Sequence, residues 1–551
     1  MGPQLATAQP DPGFSRLDEI TVENAGRLVP AWSFRTGTPG AHATAPLIAG
    51  DTLFVLTPFP HTLFALDLTR PGAAVKWRYM PPPDRTADGL TCCDAATGGL
   101  AASGDRLYLN TLDGHTISLD AAGGQVVWDA RPAHPQTGET LAAAPLVAGN
   151  RIIIGSAGDD AGPRGWLAAL DAATGRQDWK VFDTGPDAEV GIGEGFRPLY
   201  DPPQARDRGV STWPPAAWQQ GGGGLSGAPV ADPALGLVFY QTGHPAPWNP
   251  DQRPGENRWT SGIFARDAAS GAARWFDPIN PHDLYAMGAS GGLLPTPDGR
   301  LVHPDANGFL YVLDPATGKM LSATRFLPVN AARGIDLASA VPIREDRYVT
   351  VQDRTVRDIC PAWPAGSNAQ AAYSPATGLL YIPAATLCMD MAARSASYIA
   401  GTPFGGADVR VKPAPGGEEG ALIAWDIAAG RAAWTVPERF PLRGGALATA
   451  GSVVFYGTLD GLLKAVDART GRGLWQFQAT AGIVGRPATF RAPDGHQYVA
   501  VLAGAGGLTG TASAKEIDVR DATAARGFAN ALRTLPPPQD RSGTLFVFRL
   551  P

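Results

Sequence analysis

An all-β fold made of repeated sheets, an eight-bladed β-propeller closed by its own two ends, is what this sequence predicts. Three observations predict it. A ten-residue pattern recurs along the chain. Gly (68) and Pro (51) are abundant while charged residues make up only 17%, the balance of many tight turns between short buried strands. Alternating apolar stretches such as RLYLNTLDG (106–114) and SVVFYGTLDG (452–461) come before copies of the pattern, which is the period-two signature of strands.

The pattern is an Asp, a Gly four residues later and a Trp eight residues later. It reads LDAAGGQVVW (Asp120, Gly124, Trp128), LDAATGRQDW (Asp171, Gly175, Trp179) and RDAASGAARW (Asp267, Gly271, Trp275). It returns as WDIAAGRAAW (Asp426, Gly430, Trp434) and VDARTGRGLW (Asp467, Gly471, Trp475). A looser copy runs from Asp67 to Trp77, and LDPATGKML (Asp314, Gly318) lacks the Trp. The physics is that of a hairpin. A strand ends at the Asp, whose side chain bonds the turn backbone. The Gly supplies the positive φ of the turn, and the next strand carries a Trp to bury against a neighbouring sheet. A sheet that cannot cover both faces alone must stack on its neighbours.

Seven copies are visible, and the two ends supply an eighth unit. TLFVFRLP (544–551) is placed to pair with PAWSFRTG (30–37), with Trp32 in the Trp place. Closure of this kind removes the sheet edges. The repeats span the chain without a linker, so one domain over 1–551 is expected rather than two β domains. The spacings from Asp171 to Asp267 and from Asp314 to Asp426 are long. Inserted loops at roughly 182–260 and 325–420 are therefore expected, capping one face, where propeller loops carry function.

Composition narrows the partners. With 44% hydrophobic residues the chain is not disordered. A net charge of -6 without a basic patch gives no reason to expect nucleic acid. No apolar run approaches the ~18 residues of a transmembrane helix, so no transmembrane segment is expected. A small-molecule substrate or ligand is the expected partner, and a homodimer is compatible with the sequence. There are four cysteines, at 92, 93, 360 and 388. No CxxCH and no zinc spacing is present. An even count fits two disulfides in an oxidising compartment; four buried thiols are the other reading. Met1–Pro10 shows no charged-then-apolar leader, yet the cysteines favour a periplasmic or secreted protein whose signal is not included here.

Longer stretches carry a resemblance. FSRLDEI (14–20), TPFPHTLFALDL (57–68), TCCDAA (91–96), WNPDQRPGENRW (248–259), GIFARD (262–267), DICPAW (358–363), LCMD (387–390) and GALATAGSVVFYGTLDG (445–461), with the Trp turns, resemble the PQQ-dependent quinoprotein alcohol dehydrogenases. The resemblance covers essentially the whole chain and is nearest to the soluble methanol dehydrogenases. It implies a PQQ on the propeller axis, between a tryptophan and a vicinal disulfide ring, beside a calcium or lanthanide ion, with an aspartate base. It also implies that Cys92 and Cys93 are the vicinal pair and that Cys360 and Cys388 form a second, structural disulfide.

The cofactor positions depart from that pattern. The ligand glutamate falls at Asp160, the ligand asparagine at His244, the catalytic aspartate at Ala286 and the second aspartate of the lanthanide type at Gly288. A hard ion wants six or more oxygens, and no metal site is expected from one Asp and one His. The arginines that would meet the quinone carboxylates fall at Gly98 and Ala306, and the N-terminal glutamate at Ala43. Threonine, serine and asparagine contacts fall at Ala142, Ala157, Gly224 and Ala385, and the stacking tryptophan at Ser226. Two further site tryptophans fall at Arg443 and Leu508. Large or charged groups have become Ala, Gly or Ser throughout.

The expected site is therefore an emptied axial cavity lined by Ala43, Cys92, Cys93, Gly98, Ala142, Ala157, Gly224, Ser226, Ala286, Ala306, Ala385 and Leu508, open to a bulky, mostly apolar molecule. No cofactor is expected. Asp160 and His244 are the expected acid/base couple, Arg443 an anion-binding group, and Tyr285 a further candidate near the lost base. GLSG (224–227) is not a nucleophile elbow. The function expected is a cofactor-independent enzyme on this scaffold. The alternatives are a PQQ-dependent alcohol dehydrogenase with an atypical site and a non-catalytic secreted binding propeller.

Overall fold

The computed structural model describes residues 13–70, 72, 74–88, 90, 99–200, 206–362, 370–504 and 534–551. Cys92, Cys93, Gly98 and Leu508 lie outside the described residues. The chain runs as successive antiparallel four-stranded meanders over 47–79, 100–130, 146–182, 230–277, 294–325, 372–438 and 447–478. An eighth sheet joins Ala488–Arg491, Gln497–Ala503 and Ser542–Arg549 to the N-terminal strand Val29–Pro39. The end-to-end pairing has Trp32 opposite Val547 and Phe34 opposite Leu545. Phe14–Ser15 adds a parallel strand to the seventh sheet beside Leu447–Thr449.

The recurring turn does what its chemistry demands. Each Asp accepts turn N–H groups, as Asp171 does from Thr174 and Asp467 from Arg469. Trp77, Trp128, Trp179, Trp275 and Trp434 then each lie on the turn glycine of the next sheet. A side-chain carbon placed on Gly175 would fall 2.6 Å from Trp128, and one on Gly318 2.5 Å from Trp275; glycine is the only residue that leaves room. The indole N–H closes the joint on a carbonyl of the same turn: Trp128 to Ala172 (3.0 Å), Trp275 to Pro315 (2.9 Å) and Trp434 to Ala468 (3.1 Å). Trp475 reaches the Leu28 carbonyl at 3.0 Å.

Two expectations need correction. Trp128 and Trp275 are buried, but Trp179, Trp434 and Trp475 are half-buried. They stand on the fourth strand of their sheets, so one ring face covers the neighbour while an edge meets solvent. The extra residues fall within the two expected stretches but fill only part of them. The 182–260 stretch contains the first two strands of the fourth sheet, and 325–420 the first two of the sixth. The excursions are shorter. One carries the short helices Asp187–Val190 and Arg208–Ser211. Another forms the hairpin Ala332–Asp336/Val341–Arg344, and a third the three-stranded sheet of Thr355–Ile359, Leu387–Ala393 and Ala407–Pro413. The Asp–Gly–Trp pattern marks only the last turn of a sheet, so it cannot say where within a gap the extra chain leaves.

The joint between the fifth and sixth sheets differs from the others. Ser322 stands eight residues after Asp314, where a Trp would be. The space is filled from the other side by Trp425, 5% exposed, packed with Leu310, Val312, Leu380 and Ile423. Its indole N–H is buried with no hydrogen-bond partner. Cys360 and Cys388 are joined in a disulfide, which ties the end of Thr355–Ile359 to Leu387–Ala393.

Candidate functional site

Asp160 sits in the single turn Asp159–Ala161 that follows the strand Arg151–Gly155. Glycines bracket it. Gly158 (φ 114°) lies so close to the Gly138 carbonyl that no side chain fits, and Gly162 (φ 78°) lies under the rings of Phe404 and Tyr398. His244 follows the strand Leu237–Gln241 of the next sheet. Two backbone bonds lock the two segments through the Gly-rich run between them: Leu225 N–H to the Ser156 carbonyl (2.6 Å) and Gly243 N–H to the Gly224 carbonyl (2.7 Å).

The two side chains meet. Asp160 Oδ1 lies 3.2 Å from His244 Nε2. The same oxygen accepts the indole N–H of Trp248 at 3.2 Å, and the Trp248 ring stands edge-on to the imidazole, 5.8 Å away at 87°. The other ring nitrogen, Nδ1, is 3.3 Å from the Pro245 carbonyl. His244 is 7% exposed and Trp248 1%. Each imidazole nitrogen thus faces an oxygen acceptor, so the cationic ring would have both N–H groups bonded.

The expected lining residues fall into groups. Ala142 and Ala157 lie beside the Asp160 turn, half-buried, with Ala157 bridged to Thr140 and Gly224 and Ser226 on the adjoining run. The turns carrying Ala43 and Arg443 approach each other through Gly485, where an added side chain would meet the His42 and Thr44 carbonyls at 2.8 Å, and through Gly444, which faces the Gly485 carbonyl. Arg443 is half-buried by area, yet it lies deep enough that burial pushes its guanidinium down to about 10.

Ala286, Ala306 and Ala385 form no part of an open lining. They are 0%, 1% and 0% exposed, which leaves no water-sized space against Ala286 or Ala385. Ala286 and Ala385 pack with Trp248, Met287, Tyr348, Leu387 and Met389. One continuous void past all the expected positions is therefore corrected to a half-buried set around Asp160, Ala43 and Arg443. Apolar side chains close the space at Ala286 and Ala385. Tyr285 is also accounted for elsewhere. Its hydroxyl donates to the Tyr348 carbonyl at 2.9 Å, and burial pushes the phenol up. It lines a separate pocket with Met287, Asn307, Phe309 and Arg344. His303 and Asp305 are fully buried and bonded to each other at 2.9 Å, with Asp305 also capping Ser290 and Asn307, a scaffold role. The sequence does not point to Trp248; WNPD reads as part of the scaffold, and nothing in it signals a bond to Asp160.

Comparison with known proteins places this fold. The family model described as PQQ: glucose/ethanol/alcohol dehydrogenase, beta-propeller domain, matches residues 4–408 and 420–499. The chain belongs to this family. It is 39% identical to the lanthanide-dependent methanol dehydrogenase of Methylacidiphilum fumariolicum, over 98% of this chain and 90% of that protein. It is 38% identical to the lanthanide-dependent methanol dehydrogenase of Methylorubrum extorquens, over 98% of this chain and 92% of that one. A solved europium-containing methanol dehydrogenase superposes with a TM-score of 0.94 at 37% identity, covering 100% of this chain and 98% of the other. The protein is a quinoprotein-dehydrogenase-like β-propeller.

The described residues around Asp160 show the following donors and packing. Among them, no three His, Cys, Asp or Glu side chains gather where they could hold a metal. Oδ1 of Asp160 is already shared between an imidazole and an indole. The position of the aspartate base is an alanine sealed in apolar packing. Gly288 cannot take an aspartate in this backbone, because its side chain would start 2.8 Å from His244 N and 3.0 Å from the Gly243 carbonyl carbon.

Proposed function

We propose that this chain turns the quinoprotein-dehydrogenase scaffold to a reaction that does not run through PQQ or its metal: acid/base chemistry on a bulky, mostly apolar small molecule beside Asp160 and His244. What supports this reading is the Asp160–His244–Trp248 arrangement, with Asp160 and His244 at positions where the resemblance puts two ion ligands. Asp160 orients the imidazole and balances its charge. His244 holds a proton and gives it to, or takes it from, the substrate. Arg443 meets negative charge. We take the eight sheets as blades of one ring closed by Val29–Pro39 on Ser542–Arg549, with the excursions on one face. The Cys360–Cys388 disulfide supports a periplasmic or secreted setting. No helix among the described residues is long and apolar enough to cross a membrane.

Relatedness favours a second reading. Full-length similarity to lanthanide-dependent methanol dehydrogenases supports a PQQ-dependent alcohol dehydrogenase with an atypical site. One experiment separates the two. Purified protein is incubated with PQQ and calcium or lanthanum, and dye reduction is followed with methanol and ethanol. The first reading expects no rate above the protein-free control. Turnover that saturates with alcohol overturns it in favour of the second.

A further inference from the structure

The segment from Arg394 to Gly406 is an Ω-loop, a compact loop whose ends lie together. Arg394 N–H bonds the Gly406 carbonyl at 2.8 Å and closes its neck. The neck is pinned to the chain just after His244. Asn249 donates to the Arg394 carbonyl (3.0 Å), Gln252 and Ala396 exchange two bonds (2.8 and 2.9 Å), and Trp248 N–H bonds the Gly405 carbonyl (2.5 Å). The far side rests on the Asp160 turn. Phe404 N–H donates to the Asp160 carbonyl at 2.5 Å. The Phe404 and Tyr398 rings pack edge to face at 5.6 Å, and both lie over Gly162. Beyond them Gly401 lies against the Gln136 carbonyl, and Ile399 at the tip is 64% exposed.

The loop thus touches both supports of the acid/base pair, the Trp248 backbone and the Asp160 turn. Its neck is held by several hydrogen bonds. Its far side is held by one backbone bond and two rings on a glycine. That asymmetry makes the neck a hinge and the far side a latch, held by the single Phe404–Asp160 backbone bond and by ring-on-glycine contacts that have no directional bond to break.

We propose that Tyr398 and Phe404 are specificity-determining residues, a latch through which a substrate must pass to reach His244. This rests on the acid/base reading of the pair, but its test does not depend on turnover. The protein is treated with diethyl pyrocarbonate at neutral pH, and each histidine is followed by peptide mass spectrometry. His496, the exposed reference, has 62% of its side chain accessible; His61 and His303 are 2% and 0% exposed and report global unfolding. In the wild type His244 should label far more slowly than His496. Tyr398→Ser with Phe404→Ser should speed His244 by about tenfold or more, through more frequent local opening, with the other rates unchanged. Tyr398→Phe should keep the wild-type rate. If the double variant exposes His61 and His303, Tyr398→Ser alone is read in the same way. His244 labelling at the wild-type rate in a folded variant, or as fast as His496 in the wild type, overturns the proposal. Failure of the acid/base reading would leave these rates untouched.

Discussion

Asp160 Oδ1 accepts the Trp248 indole N–H and lies 3.2 Å from His244 Nε2, so removing the indole, the imidazole or the carboxylate has separable effects. Asp160→Asn keeps the size but removes the carboxylate beside the imidazole. Once a substrate is in hand, that change and His244→Ala should each lower turnover by roughly 10²–10⁴-fold if His244 moves the proton. Circular dichroism should meanwhile report an intact fold. A binding module would show altered affinity instead. His61 makes a different kind of prediction. Its Nδ1 faces the Thr57 carbonyl at 3.0 Å, and its Nε2 accepts the Leu112 N–H at 3.1 Å. Only the neutral ring can do both, and burial pushes its pKa down to about 4. Between about 4 and the ordinary 6.5 the unfolded chain binds the extra proton. Stability from this residue is therefore full above pH 6.5 and lost as pH falls toward 4, by up to ~3 kcal/mol. Urea midpoints measured across that range should fall less steeply in His61→Gln; an unchanged slope would refute the assignment.

At the scale of elements, the Trp strands and the disulfide can be weighed. Trp275 is fully buried and bonded to Pro315, and Trp275→Ala should cost ~3–5 kcal/mol. Trp179→Ala should cost less, because the half-buried ring loses less apolar contact. Replacing Cys360 and Cys388 by Ser should cost ~3–4 kcal/mol, the loop-closure value for a 28-residue separation. Denaturant midpoints decide all three. The turns were readable in the sequence because Asp, Gly and Trp each answer a local demand that leaves few substitutes. Asp160 and His244 were readable for a similar reason, since recognisable motifs flank them. The Ω-loop was not. ARSASYIAGTPFGG has no period, and its packing partners, Gly162 and Gly405–Trp248, lie far away in the chain or act through backbone atoms. The closing of the space around Ala286 and Ala385 was equally hidden. An alanine reads as an emptied position until the Met, Leu and Tyr residues that move in are seen.

For the whole molecule, the sheets form a series in which each joint is a copy of the last, and stability is close to a sum of units and joints. Such a series is only as uniform as its joints. Five of the indoles from Trp77 to Trp434 reach into the next turn and bond it. Between the fifth and sixth sheets the tryptophan comes from the opposite partner and its N–H bonds nothing. A buried donor left without an acceptor costs about 1–3 kcal/mol. Trp425→Phe should therefore be neutral or stabilising, whereas Trp275→Phe should destabilise, and paired urea melts would expose the difference. The weakest joint of the series lies between the fifth and sixth sheets, at Trp425. Amide exchange should first lose protection there. Opening would then start inside the chain rather than at the strands Val29–Pro39 and Ser542–Arg549 that pair its two ends.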